Sequence, residues 1–128
     1  MPARLEADAG GPVVVIGAGR SDEVRLRLGQ YDAAAPFVGR DVVVGIRPEC
    51  IAEGSRVFSA DPPVVVNAPV EMVEPTGAET IVLLRLGGEP ALARITPDIR
   101  PTPGAAAPFA LDTRRICLFD PETERLIA

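Results

Sequence analysis

The stretch Val-Val-Val-Gly-Ile-Arg-Pro-Glu, residues 42–49, decides the prediction of the fold. Its apolar run predicts a strand that ends near Gly45. Pro48 has no backbone N–H for a sheet ladder and pushes Arg47 toward an extended conformation, so the chain must stop or turn here. The corner therefore places two opposite charges, Arg47 and Glu49, at the end of a strand.

Two interpretations of this corner are open. In the first, Arg47 pairs with a carboxylate in a buried pocket, and Glu49 caps a short helix through residues 50–52, so that both side chains support the fold. In the second, the corner is a regulatory contact surface. We favour the structural role.

Short apolar runs alternate with turn residues along the whole chain, which contains 14 prolines and 12 glycines. Breakers at this density leave little room for long helices and favour an all-β barrel or sandwich. Val42–Val44 does not alternate, which predicts a strand covered on both sides. The predicted strands are Val13–Ile16, Glu23–Leu28, Asp41–Ile46, Val64–Val73, Thr80–Leu86, Ala91–Ile95, Pro108–Leu111 and Ile116–Phe119.

The chain is predicted to form one domain, and a division into two lobes, about 1–52 and 64–128, is left open. The least organised segment, 53–63, would join them. The resemblance of Leu26–Gly29 to Leu84–Gly87 indicates either an internal duplication or two amphipathic strands that happen to end in glycine.

Composition excludes several kinds of chemistry. The chain has no His and no Lys, and its 13 basic residues are all Arg. Without His there is no Ser-His or Cys-His nucleophile pair. Without Lys there is no Schiff base, and the Walker A sequence that cradles nucleotide phosphates is impossible. We therefore expect no catalytic residues, no metal site and no bound cofactor in this chain.

Net charge is −5, and no run of arginines forms the basic footprint that nucleic-acid binding requires. No apolar stretch approaches the roughly 20 residues of a membrane span, and the N-terminus lacks the apolar core of a signal peptide. We expect no nucleic-acid partner and no direct membrane insertion. Cys50 and Cys117 lack metal-ligand spacing and are expected to be free, largely buried thiols of a reducing cytoplasm.

Three further motifs are interpreted as turns. Gly17–Arg20 lacks the third glycine of a dinucleotide-binding loop and predicts a hairpin. Glu74–Thr80 predicts a turn at Gly77; its two glutamates could suggest acid–base catalysis, but nothing else needed for glycoside hydrolysis is evident. In Leu118–Thr123, Asp120 is placed to accept a backbone hydrogen bond two residues on. A cation site among Asp120, Glu122 and Glu124 is the weaker alternative.

Three blocks stand in a fixed order: Gly-Ile-Arg-Pro-Glu at 45–49, Val-Glu-Pro-Thr-Gly-Ala-Glu-Thr at 73–80, and Leu-Phe-Asp-Pro-Glu-Thr at 118–123. Together they resemble the TOBE domain of ATP-binding subunits of bacterial ABC importers of the maltose and glycerol-phosphate type, over roughly residues 39–127. The chain departs from the family pattern at Cys50, where His is usual, and at Glu124, where a turn glycine is usual.

The resemblance implies an all-β, OB-like barrel of short antiparallel strands with a second small β subdomain. It implies a non-catalytic C-terminal regulatory and dimerisation domain of a cytoplasmic transport ATPase at the inner face of the membrane, which imports sugars or related solutes. ATP and Mg²⁺ would belong to the nucleotide-binding domain that is missing here. The implied partners are that domain, a second copy of the subunit, the membrane subunits and a regulatory protein.

Two other functions remain as alternatives. One is a free-standing oxyanion-binding module of the molybdate-binding type, and the other is an oligonucleotide-binding OB domain, which would need a basic groove with stacking aromatic residues. For the favoured function, nine residues of the three blocks are candidate structural or regulatory contacts: Gly45, Arg47, Pro48, Glu49, Glu74, Gly77, Glu79, Phe119 and Asp120.

Overall fold

The computed structural model describes residues 1–28, 32–56, 58 and 64–127. These residues form ten β-strands and three short 3₁₀ helices, and they include no α-helix, so the predicted all-β class is confirmed. The strands are β1 Pro2–Asp8, β2 Gly11–Ile16, β3 Val24–Arg27, β4 Asp41–Gly45, β5 Ile51–Glu53, β6 Val64–Pro75, β7 Thr80–Leu86, β8 Glu89–Ile95, β9 Ala106–Leu111 and β10 Cys117–Phe119. The 3₁₀ helices are Asp32–Phe37, Pro48–Cys50 and Thr113–Arg115.

All eight predicted strands are present, and the predicted ends of β7 are those observed. The β2–β3 hairpin confirms that Gly17–Arg20 belongs to a turn. Strands β1 and β5 were not predicted. In β1 only Leu5 is a large apolar residue between charged neighbours, and β5 has three residues, so neither carries a periodic signal.

The strands form two five-stranded antiparallel sheets. The first has the order β10-β4-β1-β2-β3 and the second the order β5-β9-β6-β7-β8. Strand β5 comes from the first half of the chain but completes the second sheet, and β10 comes from the second half but completes the first. Each half of the chain therefore donates its last strand to the other half.

The two sheets are repeats of one pattern. Adding 65 to the residue numbers of paired strands in the first sheet gives the numbers of paired residues in the second: 3 becomes 68, and 42 becomes 107. From β2 to β7 the increment is 70 (14 becomes 84), because the turns on either side differ in length. The duplication left open by the sequence is therefore present in the strand pairing. Equivalent pairs are Ala3–Val42 and Ala68–Ala107, Leu118–Val44 and Glu53–Phe109, and Val14–Leu26 and Leu84–Ala91.

The repeated segment is not the one that the sequence indicated. Leu84–Gly87 corresponds to Val14–Gly17 and not to Leu26–Gly29. The two equivalent glycines, Gly17 and Gly87, lie against each other with φ values of +71° and +56°. A Cβ atom on Gly17 would collide with the carbonyl of Gly87, so this approach of the two repeats requires glycine.

Both sheets contribute to one hydrophobic core. It includes Leu5, Leu26 and Val44 from the first sheet and Leu84 and Phe109 from the second. Val42 and Val44 are buried while Val43 between them is half-buried, so β4 alternates, and the expectation of a strand covered on both sides was wrong.

In the second sheet the two edge strands, β5 and β8, also lie in contact, so the sheet curls toward a barrel. Glu53 is the last residue of β5 and is buried, although the sequence placed it at the start of the connector 53–63. Residues 57 and 59–63 of that connector lie outside the described part of the chain.

Candidate functional site

The first and third of the three sequence blocks, which we call the first and third motifs (residues 45–49 and 118–123), meet at Gly45. This glycine is paired with Cys117 between β4 and β10, and a Cβ atom in its place would lie 3.2 Å from the ring of Phe119. Phe119 is half-buried over this position. A larger residue at Gly45 would have to displace the ring, so strand donation by β10 places the Leu-Phe-Asp block directly beside the Gly-Ile-Arg-Pro-Glu corner.

The corner itself is a 3₁₀ turn. Pro48–Cys50 forms the short helix, and Arg47 precedes it with an extended backbone. Both Arg47 and Glu49 are exposed, and the described part of the chain offers neither of them an ion pair within 4 Å. The expected buried pair of Arg47 is therefore wrong. Glu49 is also not a cap, because it lies inside the helical turn, and residues 51–53 continue as a strand.

Backbone contacts rather than charges hold the corner in place. The Cys50 carbonyl accepts a hydrogen bond of 2.8 Å from the Asp112 N–H at the end of β9, and the helix packs against β8. The Cys50 thiol is fully buried, and burial raises its pKa. Both cysteines are free, as expected, although Cys117 is only half-buried.

The 3₁₀ helix Thr113–Arg115 has an ion pair that was not predicted from the sequence. Asp112 is buried, and its carboxylate accepts a hydrogen bond of 2.7 Å from the guanidinium of Arg115, which is half exposed. The 3₁₀ helix Thr113–Arg115 is the equivalent of Pro48–Cys50 in the other repeat. Asp112 follows an apolar strand, as an N-cap residue often does, so its preference for helix starts was the available signal.

The first and second motifs meet in a cleft of about 460 Å³. Glu49 lines it on the side of the corner, and Glu79 lines it on the side of the β6–β7 turn. Arg94 of β8 also lines the cleft and forms an ion pair of 3.4 Å with Glu79. The cleft also includes Arg56 and Thr96, so it has charged walls of both signs.

Glu53 is hydrogen-bonded to two residues that line this cleft, Arg56 and Thr96, and so ties β5 to the residue that follows β8. Its carboxylate accepts hydrogen bonds of 2.5 Å from the Thr96 hydroxyl and 3.2 Å from the Thr96 N–H, and one of 3.1 Å from Arg56. Burial alone would raise the pKa of Glu53, but these hydrogen bonds outweigh it, and the pKa is lowered from its ordinary value of 4.5. No signal in the sequence distinguished this buried glutamate from a loop residue beside Gly54.

The remaining residues of the second motif form an exposed turn. Gly77 has a φ of +92°, which glycine adopts without strain, and the Thr76 hydroxyl donates to the Glu79 carbonyl at 2.9 Å. Glu74 is exposed and pairs across the strands with Ile81, whereas Glu79 is held by Arg94. This arrangement supports the turn interpretation.

The third motif ends in the expected turn. The Asp120 carboxylate accepts a 2.9 Å hydrogen bond from the N–H of Glu122, and the Asp120 carbonyl accepts one of 2.7 Å from Glu124. Asp120 also lines a second cleft of about 340 Å³ with Arg4 and Arg40. Within the described residues, no cluster of three or more acidic or sulfur side chains is arranged to hold a metal ion.

The candidate residues are thus brought together in pairs rather than in one site. Gly45 contacts Phe119, and Glu49 shares a cleft with Glu79, while Asp120 lines a separate cleft. A protein-family model for the TOBE domain matches residues 44–119, a range that contains eight of the nine candidates. The chain belongs to the TOBE domain family.

Curated relatives of this TOBE domain are ATP-binding proteins of importers. A sulfoquinovosyl glycerol transport ATP-binding protein of Agrobacterium fabrum is 43% identical over 89 residues, which are 70% of this chain and 24% of that protein. A trehalose/maltose import ATP-binding protein of Thermococcus litoralis is 35% identical over 82% of this chain and 30% of its own length. An sn-glycerol-3-phosphate import ATP-binding protein of Chromobacterium violaceum is 32% identical over 95% of this chain and 30% of its own length.

Among solved structures, the cytoplasmic molybdate-binding protein ModG, with molybdate bound, matches with a TM-score of 0.57 and 18% identity. The match covers 91% of this TOBE domain and 92% of that chain, and at this identity it shows the fold alone. This TOBE domain spans less than a third of the length of the three relatives described above. No helix formed by the described residues has the length and hydropathy of a membrane span.

Proposed function

We propose that this TOBE domain is the non-catalytic regulatory and pairing domain of the ATP-binding subunit of an ABC importer for sugars or related solutes. The observation that carries the proposal is the family match over residues 44–119, together with importer ATP-binding proteins that align with up to 95% of the chain. ATP and Mg²⁺ bind in the nucleotide-binding domain of the same subunit, and this domain contributes no group to hydrolysis.

The exchange of strands suits this role mechanically. Because β5 completes the second sheet and β10 completes the first, separating the repeats breaks a ladder in each sheet. The domain therefore moves as one body when the nucleotide-binding domains open and close. Its partners are the nucleotide-binding domain, the equivalent domain of a second subunit and, through the whole protein, the membrane subunits at the cytoplasmic face.

The cleft between Glu49 and Glu79 is the proposed regulatory contact. Of its charged residues, Glu49 is exposed on a corner whose backbone is fixed by Pro48 and by the hydrogen bond from Asp112 to Cys50, and Glu79 is held by its ion pair with Arg94. A regulatory protein or the second subunit can therefore meet these charges without ordering the backbone first, which lowers the entropic cost of binding. Gly45 and Phe119 support this corner from the side of β10.

A chimera tests the proposed function. The TOBE domain of the Agrobacterium relative is replaced by this chain, and uptake of its solute is measured in cells that lack the native subunit. We expect the chimera to assemble with the membrane subunits and to restore uptake, whereas a subunit with the TOBE domain deleted restores less.

The control separates folding from function. Soluble chimera is purified, and its ATP hydrolysis and melting temperature are measured before uptake is compared. A folded chimera with intact ATP hydrolysis but with uptake and subunit pairing no better than those of the deletion would contradict the proposed function.

A further inference from the structure

The outward faces of the two sheets carry different side chains at equivalent positions. In the first sheet, Glu6, Val13 and Arg27 lie in register across β1, β2 and β3. Exposed ion pairs cross this face: Arg27 binds Asp8 at 2.6 Å, and Arg25 binds Glu6 at 3.3 Å. The two valines of β2 that point outward, Val13 and Val15, are 4% and 0% exposed beneath this layer.

In the second sheet the equivalent row is apolar and open. Met72, Leu83 and Leu92 lie in register across β6, β7 and β8. Met72 is 61% exposed and Leu92 is 45% exposed, and Leu83 between them is half-buried. We call these three residues, with the neighbouring Ile81, the open face. An apolar row of this kind beside a charged margin is typical of a protein contact surface.

The margins of the open face carry charges. On one side Arg85 binds Glu71 at 2.6 Å. On the other side Glu74 and Arg94 flank Ile81 of the open face, and the three residues lie in register across the same three strands. Arg94 binds Glu79, while Glu74 forms no ion pair with another described residue. The acidic end of this second row thus lies on β6 and its basic end on β8.

We propose that the open face packs against the open face of a second copy of this chain, with the two-fold axis parallel to β7. This inference rests on the proposed pairing of TOBE domains and names the surface that pairs. Such an axis exchanges β6 and β8, so that Met72 lies opposite Leu92 of the partner subunit, and Leu83 lies opposite the partner's Leu83.

Charge complementarity favours this axis and this partner. With the axis along β7, each Glu74 lies opposite Arg94 of the partner subunit, which gives two identical opposite-charge contacts. A two-fold axis perpendicular to the strands would instead place Glu74 opposite the partner's Glu71, which like-charge repulsion opposes. The arrangement along β7 is self-complementary, as an isologous dimer contact requires.

The size of the open face predicts a weak dimer. Three strands about 4.8 Å apart and seven residues long at about 3.3 Å per residue cover roughly 300 Å². A stable interface buries about 800 Å² on each partner. The isolated domain should therefore dimerise only at high concentration, and attachment to a subunit that is already paired elsewhere would raise its effective concentration.

Sedimentation velocity across about 10 μM to 1 mM tests the surface. We expect the mean mass of the wild-type chain to rise with concentration and that of Leu92→Glu to stay monomeric. Leu126→Glu is the matched control, because Leu126 is 62% exposed and lies outside the open face. Circular dichroism melts identify any variant that fails to fold.

A charge exchange tests the axis. Glu74→Arg and Arg94→Glu each create two like-charge contacts and should weaken association about tenfold, and the double variant should restore it. A wild-type chain that stays monomeric throughout, dimerisation unchanged by Leu92→Glu, or a double variant as weak as the single ones would each overturn the proposal. If one of these results is obtained and the chimera still restores uptake, the proposed function is retained and only the proposed pairing surface is rejected.

Discussion

In the first sheet the outward face is covered by arginine–carboxylate pairs, and in the second sheet the equivalent face presents an open apolar row. The inward faces do not differ in this way: Val14 and Leu84, or Leu26 and Ala91, occupy equivalent core positions in the two repeats. The comparison separates what folding requires from what it leaves free. Inward positions must fill one shared core, whereas outward positions can diverge, so the outward difference points to function.

The two exchanged strands, β10 and β5, carry different side chains at equivalent positions. Strand β10 places Leu118 in the core of the first sheet, while the equivalent residue of β5 is Glu53 in the second. Leu118 is fully buried among apolar residues, whereas Glu53 is hydrogen-bonded to Thr96 and Arg56. The strand donated to the first sheet is therefore anchored by apolar packing, and the strand donated to the second sheet is anchored by a buried carboxylate that binds the residue following β8.

The largest expected effect comes from the shared core. Phe109→Ala should lower the free energy of unfolding by about 3–5 kcal/mol, because Phe109 is 1% exposed and its removal leaves a cavity. The equivalent residue Val44, also 1% exposed, should cost less on mutation to Ala, about 2 kcal/mol, since fewer methylene groups are lost.

Chemical denaturation followed by circular dichroism measures both values. Because the core is shared, both variants should unfold in one transition. Two separate transitions, with only one of them shifted by each substitution, would show that the repeats are independent units.

The buried carboxylate should have the next largest effect. Glu53→Gln removes the charge that three hydrogen bonds favour and should cost about 1.5–3 kcal/mol at pH 7. Because the folded-state pKa of Glu53 is lowered, its contribution is complete above the ordinary pKa of 4.5 and is lost as pH falls through the folded-state value.

Melting curves between pH 7 and pH 3 check this sign. The difference between wild type and Glu53→Gln should shrink as the pH falls below about 4.5. A difference that stays constant over this range would mean that ionisation of Glu53 contributes nothing to closing the second sheet.

A smaller effect is expected in the turn that follows β10. Glu124 has a φ of +60°, where an L-residue is strained and glycine is not. Glu124→Gly should therefore raise stability by up to about 1 kcal/mol, since relief of strain exceeds the added flexibility of the unfolded chain. Glu124→Ala is the control, because it removes the charge and keeps the strain. Equal melting temperatures for the two variants would attribute any gain to the charge.

The smallest effect is expected at the corner. Arg47→Ala and Glu49→Ala should each change the free energy of unfolding by less than about 0.5 kcal/mol, because both side chains are exposed and without ion pairs within the described residues. A loss of several kcal/mol in a thermal melt would instead restore the structural interpretation of these charges.

Strong local patterns were predictable from the sequence, and long-range pairing was not. The run before Gly45 and the alternation in Val24–Leu28 carry their strand signal locally. Strand β5 has three residues, and its membership in the second sheet depends on Leu111 and Phe109, which lie more than 50 residues away. No local pattern encodes such an exchange.

The candidate site shows the same limit. The three motifs predicted turns correctly, including the hydrogen bond from Glu122 to Asp120. The buried partner expected for Arg47 was wrong, because Pro48 fixes the backbone direction but does not determine what lies opposite the side chain. Glu53 was missed because a glutamate beside Gly54 has the composition of a loop, and its burial depends on the distant Thr96.

The most direct test of the divergence between the two outward faces is a dilution series of ¹H–¹⁵N correlation spectra from about 1 mM to 20 μM. We expect concentration-dependent shifts for the amides of Met72, Leu83 and Leu92, with unchanged signals for Val13 and Arg27, the first-sheet equivalents of Leu83 and Leu92. Signals of Met72, Leu83 and Leu92 that do not move on dilution, or shifts confined to the face of the first sheet, would contradict this expectation.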